Sequence, residues 1–250
     1  MKKSNNITAY VHAGNYIKIG EFQNFESIFS QIVPPAGPYS IGIDGPASGG
    51  KTTVTDALTK YYSAKNIPVT VLPLDFFMSD RNVRSKLNND IAQGIIPIDS
   101  YSLHGWDHPR YLQYLKMLKE IIEQKSGSIK HISIQNAYSR KSGKRDKNET
   151  RTVVPQGIVI TEGTGIHLYH KELFDLSIRV DVNNTKILLN RVVSREKEKP
   201  VESQLTVDYL LERYQNTDVP HAAYLRNQTQ RVADIVIDTS TLPLVVFKKS

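Results

Sequence analysis

The residues with the clearest chemical signature form a glycine-rich stretch that ends in lysine and threonine. It consists of Gly45, Pro46, Ala47, Ser48, Gly49, Gly50, Lys51, Thr52 and Thr53. Positions 45–52 match the G-x-x-x-x-G-K-[ST] pattern, in which glycines let the backbone N–H groups turn toward a phosphate at a helix N-terminus. Lys51 would place a charge near the β- and γ-phosphates, and Thr52 would offer a hydroxyl to Mg²⁺. The stretch therefore predicts a binding site for nucleotide phosphates.

Two acids follow short apolar stretches that read as buried strands. Asp75 follows Pro68–Leu74, and Glu162 follows Gln156–Thr161. Ligands of open parallel sheets lie beyond the carboxyl ends of the strands, so both acids are expected near the phosphates. Asp75 could take the proton of an acceptor hydroxyl and join the metal shell, and Glu162 could reach Mg²⁺ directly or through water. The alternatives are a helix N-cap for Asp75 and a solvated acid at a strand end for Glu162.

Two arginines, Arg191 and Arg195, lie four residues apart on the predicted helix Thr185–Lys197. This spacing puts both guanidinium groups on one helix face, where they could hold phosphates during transfer. The basic run continues to Pro200, as in a lid that excludes water from the reaction. The alternative is a pair of exposed arginines near a helix C-terminus, where the helix dipole favours cations.

Candidate acceptor contacts lie between the two predicted acids. Trp106, Asp107 and His108 come just before the predicted helix Tyr111–Gln124, and an aromatic ring beside hydrogen-bonding groups suits an acceptor pocket. Taken alone, these residues fit a helix cap at Asp107 and a core position at Trp106 better. Arg140 begins a basic run to residue 151, which is either a solvated loop or a substrate contact.

The elements that must position these residues alternate between strand and helix. The predicted core strands are Ser40–Ile43, Pro68–Leu74, Gln156–Thr161, Asp175–Val182 and Ala233–Asp238, with the helix Lys51–Tyr62 after the glycine-rich stretch. This order predicts an α/β fold, with a P-loop NTPase-type parallel sheet flanked by helices and a lid. Residues 1–37 form an N-terminal extension, with strands at Ile7–His12 and Tyr16–Ile19 and a helix at Phe22–Ile32.

The bulk composition narrows the class of protein. The chain has 250 residues, a formal net charge of +7 and no cysteine, which excludes disulfides, thiolate metal sites and cysteine nucleophiles. No apolar segment of signal-peptide or membrane-spanning type is found, so we expect a cytoplasmic protein that does not enter a membrane. A nucleotide with Mg²⁺ is enough to explain the positive charge, and nucleic acid is not required, although a nucleic-acid-binding module is an alternative.

Taken in order, these motifs resemble those of the uridine kinase and phosphoribulokinase group of P-loop kinases over about residues 40–239. The matching pieces are G-P-A-S-G-G-K-T-T, L-D-F-F at Asp75, W-D-H-P at Trp106, I-V-I-T-E-G ending at Gly163, R-V-V-S-R-E from Arg191, and A-D-I-V-I. The resemblance implies that Asp75 is the base for the acceptor and that Glu162 joins the Mg²⁺ shell. It also implies that Arg191 and Arg195 hold phosphates.

The resemblance implies a kinase domain at 38–250 that uses ATP and Mg²⁺ to phosphorylate a hydroxyl of a small molecule, with a nucleoside expected first. The departures fall on the acceptor side: Gln135-Asn136 stands where uridine kinases usually carry Tyr-Asp, and Lys197–Pro200 replaces an arginine- and glycine-rich lid. A sugar phosphate or pantothenate-like acceptor therefore stays open. A P-loop ATPase or GTPase switch also stays open, although the sequence has no N-K-x-D-like guanine signature. A homo-oligomer is allowed.

Overall fold

The computed structural model describes residues 16–33, 39–124, 131–198, 204–229 and 232–250. The predicted strand Ile7–His12, the predicted domain boundary at residue 37 and the end of the predicted lid, Lys199-Pro200, lie outside the described residues. Within the described part, no helix is both long and apolar enough to cross a membrane.

The strands in chain order are β1 (Tyr16–Phe22), β2 (Ser40–Asp44), β3 (Val69–Val71), β4 (Ile132–Ile134), β5 (Tyr138–Ser139), β6 (Lys144–Arg145), β7 (Arg151–Val153), β8 (Ile158–Gly163), β9 (Leu176–Asp181), β10 (Ile235–Asp238) and β11 (Leu244–Lys249). Seven of them form one sheet in the order β1-β11-β10-β9-β2-β8-β3. The pairs β4–β7 and β5–β6 form two small separate sheets.

The helices are α1 (Phe25–Ile32), α2 (Lys51–Ser63), α3 (Arg81–Ala92), α4 (Ser100–His104), α5 (His108–Glu123), α6 (Ile166–His170), α7 (Thr185–Lys197), α8 (Val207–Arg213) and α9 (Val219–Thr229). Two 3₁₀ turns span Leu74–Phe77 and Lys171–Leu173, and a π-helical turn, Tyr214–Asp218, joins α8 to α9.

The sheet confirms the predicted α/β class, because β10, β9, β2, β8 and β3 run parallel. Strands β2, β8 and β9 are buried along their whole length, as expected for central strands covered on both faces. Strand β11 was not predicted from the sequence; it returns from β10 through a short connection and therefore runs antiparallel to β10. Strand β1 pairs antiparallel with β11, so it runs in the same direction as β10.

Several predicted boundaries were wrong for local reasons. Asp75 does not follow a strand directly: β3 ends at Val71, and Pro73 precedes the 3₁₀ turn that contains Asp75. The basic run from Arg140 is not a plain loop, because it includes β6 and the turn that joins it to β5.

The N-terminal segment from residue 16 to residue 33 belongs to the same core as the central sheet. Strand β1 pairs along β11, with Phe22 opposite Leu244, and α1 packs against α2. The ring centroids of Phe29 on α1 and Tyr61 on α2 lie 5.8 Å apart. This packing places α1 beside the helix that follows the glycine-rich loop.

Candidate functional site

The glycine-rich loop, residues 45–50, connects the carboxyl end of β2 to the N-terminus of α2. A side chain at Gly45 would place its Cβ 2.3 Å from the carbonyl oxygen of Val180, so only glycine fits against β9 there. Gly50 has a φ of 102°, a conformation that glycine adopts without strain. The loop therefore wraps over the strand end as the sequence motif predicts.

Lys51, the first residue of α2, turns its side chain back over this loop. Its Nζ donates to the carbonyl oxygens of Gly45 at 3.1 Å and Pro46 at 2.9 Å, and to Oγ1 of Thr164 at 3.1 Å. Burial lowers the pKa of Lys51, and the nearby carboxylate of Glu162 opposes this shift. The ammonium group is thus held in the concave side of the loop with a carboxylate near it.

Thr52 and Glu162 are brought together by the parallel pairing of β2 and β8, in which Ile43 lies opposite Glu162. The hydroxyl of Thr52 donates to Oε1 of Glu162 at 3.1 Å. Burial raises the pKa of Glu162, and the charge of Lys51 opposes this shift. The result is a hydroxyl and a carboxylate side by side at the loop.

Asp75 lies in the first turn after β3 and forms an ion pair with Arg140, with Oδ2 and Nη2 2.7 Å apart. Arg140 directly follows β5, and the turn between β5 and β6 is held in place by the backbone N–H of Arg81, which donates to the carbonyl oxygen of Gly143 at 2.7 Å. The Asp75 side chain is 31% exposed, so it remains open to solvent beside this turn.

The two arginines of α7 differ in their contacts. Arg191 donates through Nη1 to the carbonyl oxygen of Gly49 at 3.2 Å and through Nη2 to that of Thr239 at 2.6 Å. Burial lowers the pKa of Arg191, and Asp238 opposes this shift. Arg195 is exposed, yet its charge is close enough to contribute to the lowered pKa of Lys51.

The three predicted acceptor residues at the start of α5 do not form an open pocket together. Trp106 is only 6% exposed and belongs to the core beneath the 3₁₀ turn. Asp107 caps α5 and pairs with Arg145, with Oδ2 and Nη1 2.8 Å apart. His108 is buried, with Nε2 2.7 Å from the carbonyl oxygen of Ser102. These contacts favour the cap and core alternative for this stretch.

A cavity of about 470 Å³ opens on the other side of the glycine-rich loop. Its lining includes Ser48, Thr53, Arg191, Thr239, Leu242 and Phe25. This cavity was not predicted from the sequence. The sequence feature that could have indicated it is the polar stretch that follows the parallel strand β10. The hydroxyl of Thr239 donates to the carbonyl oxygen of Gly49 at 3.0 Å, which ties the cavity wall to the loop.

Asp44, the residue before the loop, was also missed. Its Oδ1 accepts hydrogen bonds from the backbone N–H groups of Gly45 at 2.6 Å and Gly165 at 2.8 Å. Its Oδ2 lies 3.9 Å from His167 Nδ1 and from Arg179 Nη1, and the side chains of all three residues are fully buried. The carboxylate therefore joins the start of the loop to the turn after β8 that carries Thr164.

Comparisons with known proteins agree with this geometry. A model of the phosphoribulokinase and uridine kinase family matches residues 40–243. A uridine kinase of Chlamydia pneumoniae is 25% identical over 199 residues, which cover 79% of this chain and 80% of that protein. A uridine kinase of Bacillus pumilus is 26% identical over 205 residues, with 80% and 86% covered.

A D-glycerate 3-kinase from Cryptococcus neoformans shares the fold, with a TM-score of 0.54 at 14% identity over 93% of both chains. The family match covers the loop, Asp75, Glu162 and both α7 arginines. The chain therefore belongs to the phosphoribulokinase and uridine kinase family, and it is a phosphotransferase that acts on a hydroxyl group.

Proposed function

We propose that this protein transfers the γ-phosphoryl group of ATP to a hydroxyl of a nucleoside, with Mg²⁺ bound. The observation that carries the proposal is the convergence of three features at one edge of the sheet. Lys51 lies over the loop, Thr52 contacts Glu162, and the ion pair of Asp75 reaches the same site, since Asp75 contributes to the pKa shifts of both Lys51 and Glu162.

On the donor side, the backbone N–H groups of the loop and the N-terminus of α2 would bind the phosphates. Lys51 is already held at the concave side of the loop, where it would neutralise the β- and γ-phosphates. Arg191 contacts the loop at Gly49 and also lines the 470 Å³ cavity, so one side chain links the proposed phosphate and base sites. Arg195 is exposed on the same helix, and we assign it the role of contacting the phosphoryl group during its transfer.

The donor set at Thr52 and Glu162 fits Mg²⁺, because both groups offer oxygen to a hard cation. Within the described ranges, no group of three or more His, Cys, Asp or Glu could hold a metal ion by itself. This agrees with a metal that is held partly by nucleotide phosphates, with Asp75 as a further contact in its shell. When bound, Mg²⁺ would neutralise charge that develops on the phosphate oxygens.

On the acceptor side, we assign the proton transfer to Asp75. Its carboxylate would take the proton of the acceptor hydroxyl as the new O–P bond forms and the bond to the ADP leaving group breaks. Arg140 holds this carboxylate in one orientation, and its side chain is 62% exposed, so it can also contact an acceptor. Trp106, Asp107 and His108 would then support the acceptor site from the core rather than touch the acceptor.

An acceptor that carries an acidic group, such as a sugar phosphate or a pantothenate-like compound, is the second candidate. Arg84 packs over the ring of Tyr138, two residues before Arg140, and its Nη2 donates to the Tyr138 hydroxyl at 2.5 Å. Among the described residues, no carboxylate lies within ion-pair distance of Arg84. Arg140 pairs with Asp75, and Arg84 contacts strand β5 two residues before Arg140, so these two guanidinium groups would favour an acceptor that carries an anionic group.

Two substitutions test the proposal. Asp75→Asn keeps the size of the side chain but removes the base, so the turnover number should fall by about 10²–10⁴ while ADP affinity stays within a few-fold. Lys51→Met should lower both turnover and ADP affinity. Asp90→Asn, on α3 and paired with Lys86, is the control. Near-normal turnover in either the Asp75 or the Lys51 variant would contradict the proposal.

The acceptor class is tested by matched compounds. Uridine and cytidine are compared with ribose 5-phosphate and pantothenate as acceptors in the wild-type protein, with ADP release as the readout. A higher kcat/KM for the nucleosides supports the first candidate. A higher kcat/KM for the acidic compounds supports the second candidate. In that case the preference for acidic compounds should be lost in Arg84→Gln.

A further inference from the structure

We propose that the N-terminal β1–α1 segment, residues 16–33, completes the donor site, with Phe25 as an aromatic contact for the nucleotide base. This inference rests on the proposed function, since it assumes a nucleotide whose phosphates lie on the glycine-rich loop. It assigns a role in binding to a segment that lies before the family match, which begins at residue 40.

The cavity that Phe25 lines begins at the loop itself. Ser48, Gly50 and Thr53 line the cavity from the loop and the start of α2, and the residues after β10, including Leu242, line it from the sheet. A nucleotide whose phosphates lie on the loop would extend into this space, which at about 470 Å³ is large enough for a base and part of a ribose. Leu242 is 71% exposed, so an apolar side chain is available at the mouth.

Phe25 is held in place before any ligand arrives. It is the first residue of α1, and the side chain of Asn24 caps this helix by accepting a hydrogen bond from the Ser27 N–H at 2.9 Å. Its ring stacks with that of Phe29, which is buried in the core, with the centroids 5.9 Å apart. Little conformational entropy would therefore be lost when a base contacts the ring.

The segment is fixed to both sides of the cavity. Phe22 of β1 pairs with Leu244, which lines the cavity and begins β11, while α1 packs against α2 on the loop side. The cavity thus combines the aromatic ring of Phe25 with the planar guanidinium of Arg191. Both groups stack favourably on flat aromatic ligands. This chemistry suits the base of the nucleotide, whereas the phosphates belong to the loop.

The test separates the base from the phosphates by comparing two ligands, ADP and inorganic tripolyphosphate, in the presence of Mg²⁺. Isothermal titration gives the Kd of each ligand for the wild type, Phe25→Ala, Phe25→Leu and Phe25→Tyr. Ile17→Ala is the control, because Ile17 lies on β1 in the same segment, is 57% exposed and does not line the cavity. Melting temperatures show which variants are folded.

We expect Phe25→Ala to weaken ADP binding about tenfold and to change tripolyphosphate binding by less than twofold. Phe25→Tyr and Ile17→Ala should bind both ligands like the wild type. If Phe25→Ala does not fold, Phe25→Leu carries the same comparison, since it keeps apolar bulk without the aromatic face.

Two results would overturn the inference. Unchanged ADP affinity in folded Phe25→Ala and Phe25→Leu would show that the ring does not contact the base, and an equal loss for both ligands in these two variants would show a structural role only. In both cases the proposed function survives, because the wild type binds ADP. A wild type that binds neither ligand would overturn the proposed function together with this inference.

Discussion

Replacing Asp44 by alanine is expected to destabilise the protein strongly, although this residue lies outside the predicted site. The substitution leaves the N–H groups of Gly45 and Gly165 without their acceptor, in a place where the Asp44 side chain is fully buried. It also removes one of two carboxylates near the buried guanidinium of Arg179, since Oδ2 of Asp44 lies 3.9 Å from Nη1 and Oδ1 of Asp181 lies 3.7 Å from Nη2. Two lost acceptors at about 1–3 kcal/mol each give a loss of roughly 2–6 kcal/mol, and the weaker compensation of the Arg179 charge, which then has only Asp181 beside it, adds to this loss.

Urea unfolding of Asp44→Ala, Asp44→Asn and the exposed control Asp56→Ala measures this loss. Asp44→Asn retains an oxygen for the two N–H groups and loses only the charge, so it should lie between the wild type and Asp44→Ala. Arg179, whose pKa burial lowers to about 10, is the source of the charge contribution. The double variant Asp44→Asn/Arg179→Met should therefore be more stable than Asp44→Asn alone. A loss below 1 kcal/mol for Asp44→Ala would refute the reasoning.

Three further predictions concern the metal, the acceptor and pH. Glu162→Gln should raise the Mg²⁺ concentration for half-maximal turnover at least tenfold, and an unchanged Mg²⁺ dependence would contradict the assigned role. Arg140→Gln should weaken acidic acceptors more than nucleosides, as measured by the KM of each. Burial lowers the pKa of His221 to about 4, and an unfolded histidine titrates near 6.5. The unfolded state therefore binds the proton first, and the contribution of His221 to stability should fall by about 2 kcal/mol between pH 7 and pH 5. Burial also lowers the pKa of His170 to about 4, so His221→Gln should reduce the pH dependence of stability without abolishing it, as measured by urea unfolding across that range.

The parts of the site that the sequence predicts are those that local patterns determine. The loop, Lys51 and Thr52 follow from one contiguous motif, and Glu162 follows from an apolar strand that ends in an acid. These residues were expected to lie close together because the carboxyl ends of parallel strands share one edge of the sheet. The alternation of strands and helices likewise predicted the fold, apart from the antiparallel edge.

The remaining contacts depend on tertiary packing that no local pattern encodes. Arg140 reaches Asp75 only because the β5–β6 turn folds over the 3₁₀ turn, and a run of basic residues looks the same in a solvated loop. Phe25 reaches the cavity because β1 pairs with the last strand of the chain, far away in sequence. His108 resembled an acceptor contact in sequence, but its ring is hydrogen-bonded in the core.

The most direct test of the central claim is the formation of a phosphorylated acceptor by the 250-residue protein. The protein is incubated with γ-labelled ATP and Mg²⁺, with and without a mixture of nucleosides, and the label is followed by chromatography. We predict that label moves to a nucleoside hydroxyl in the wild type and that this transfer is lost in Asp75→Asn. Label released only as inorganic phosphate, at the same rate with and without nucleosides, would contradict the claim.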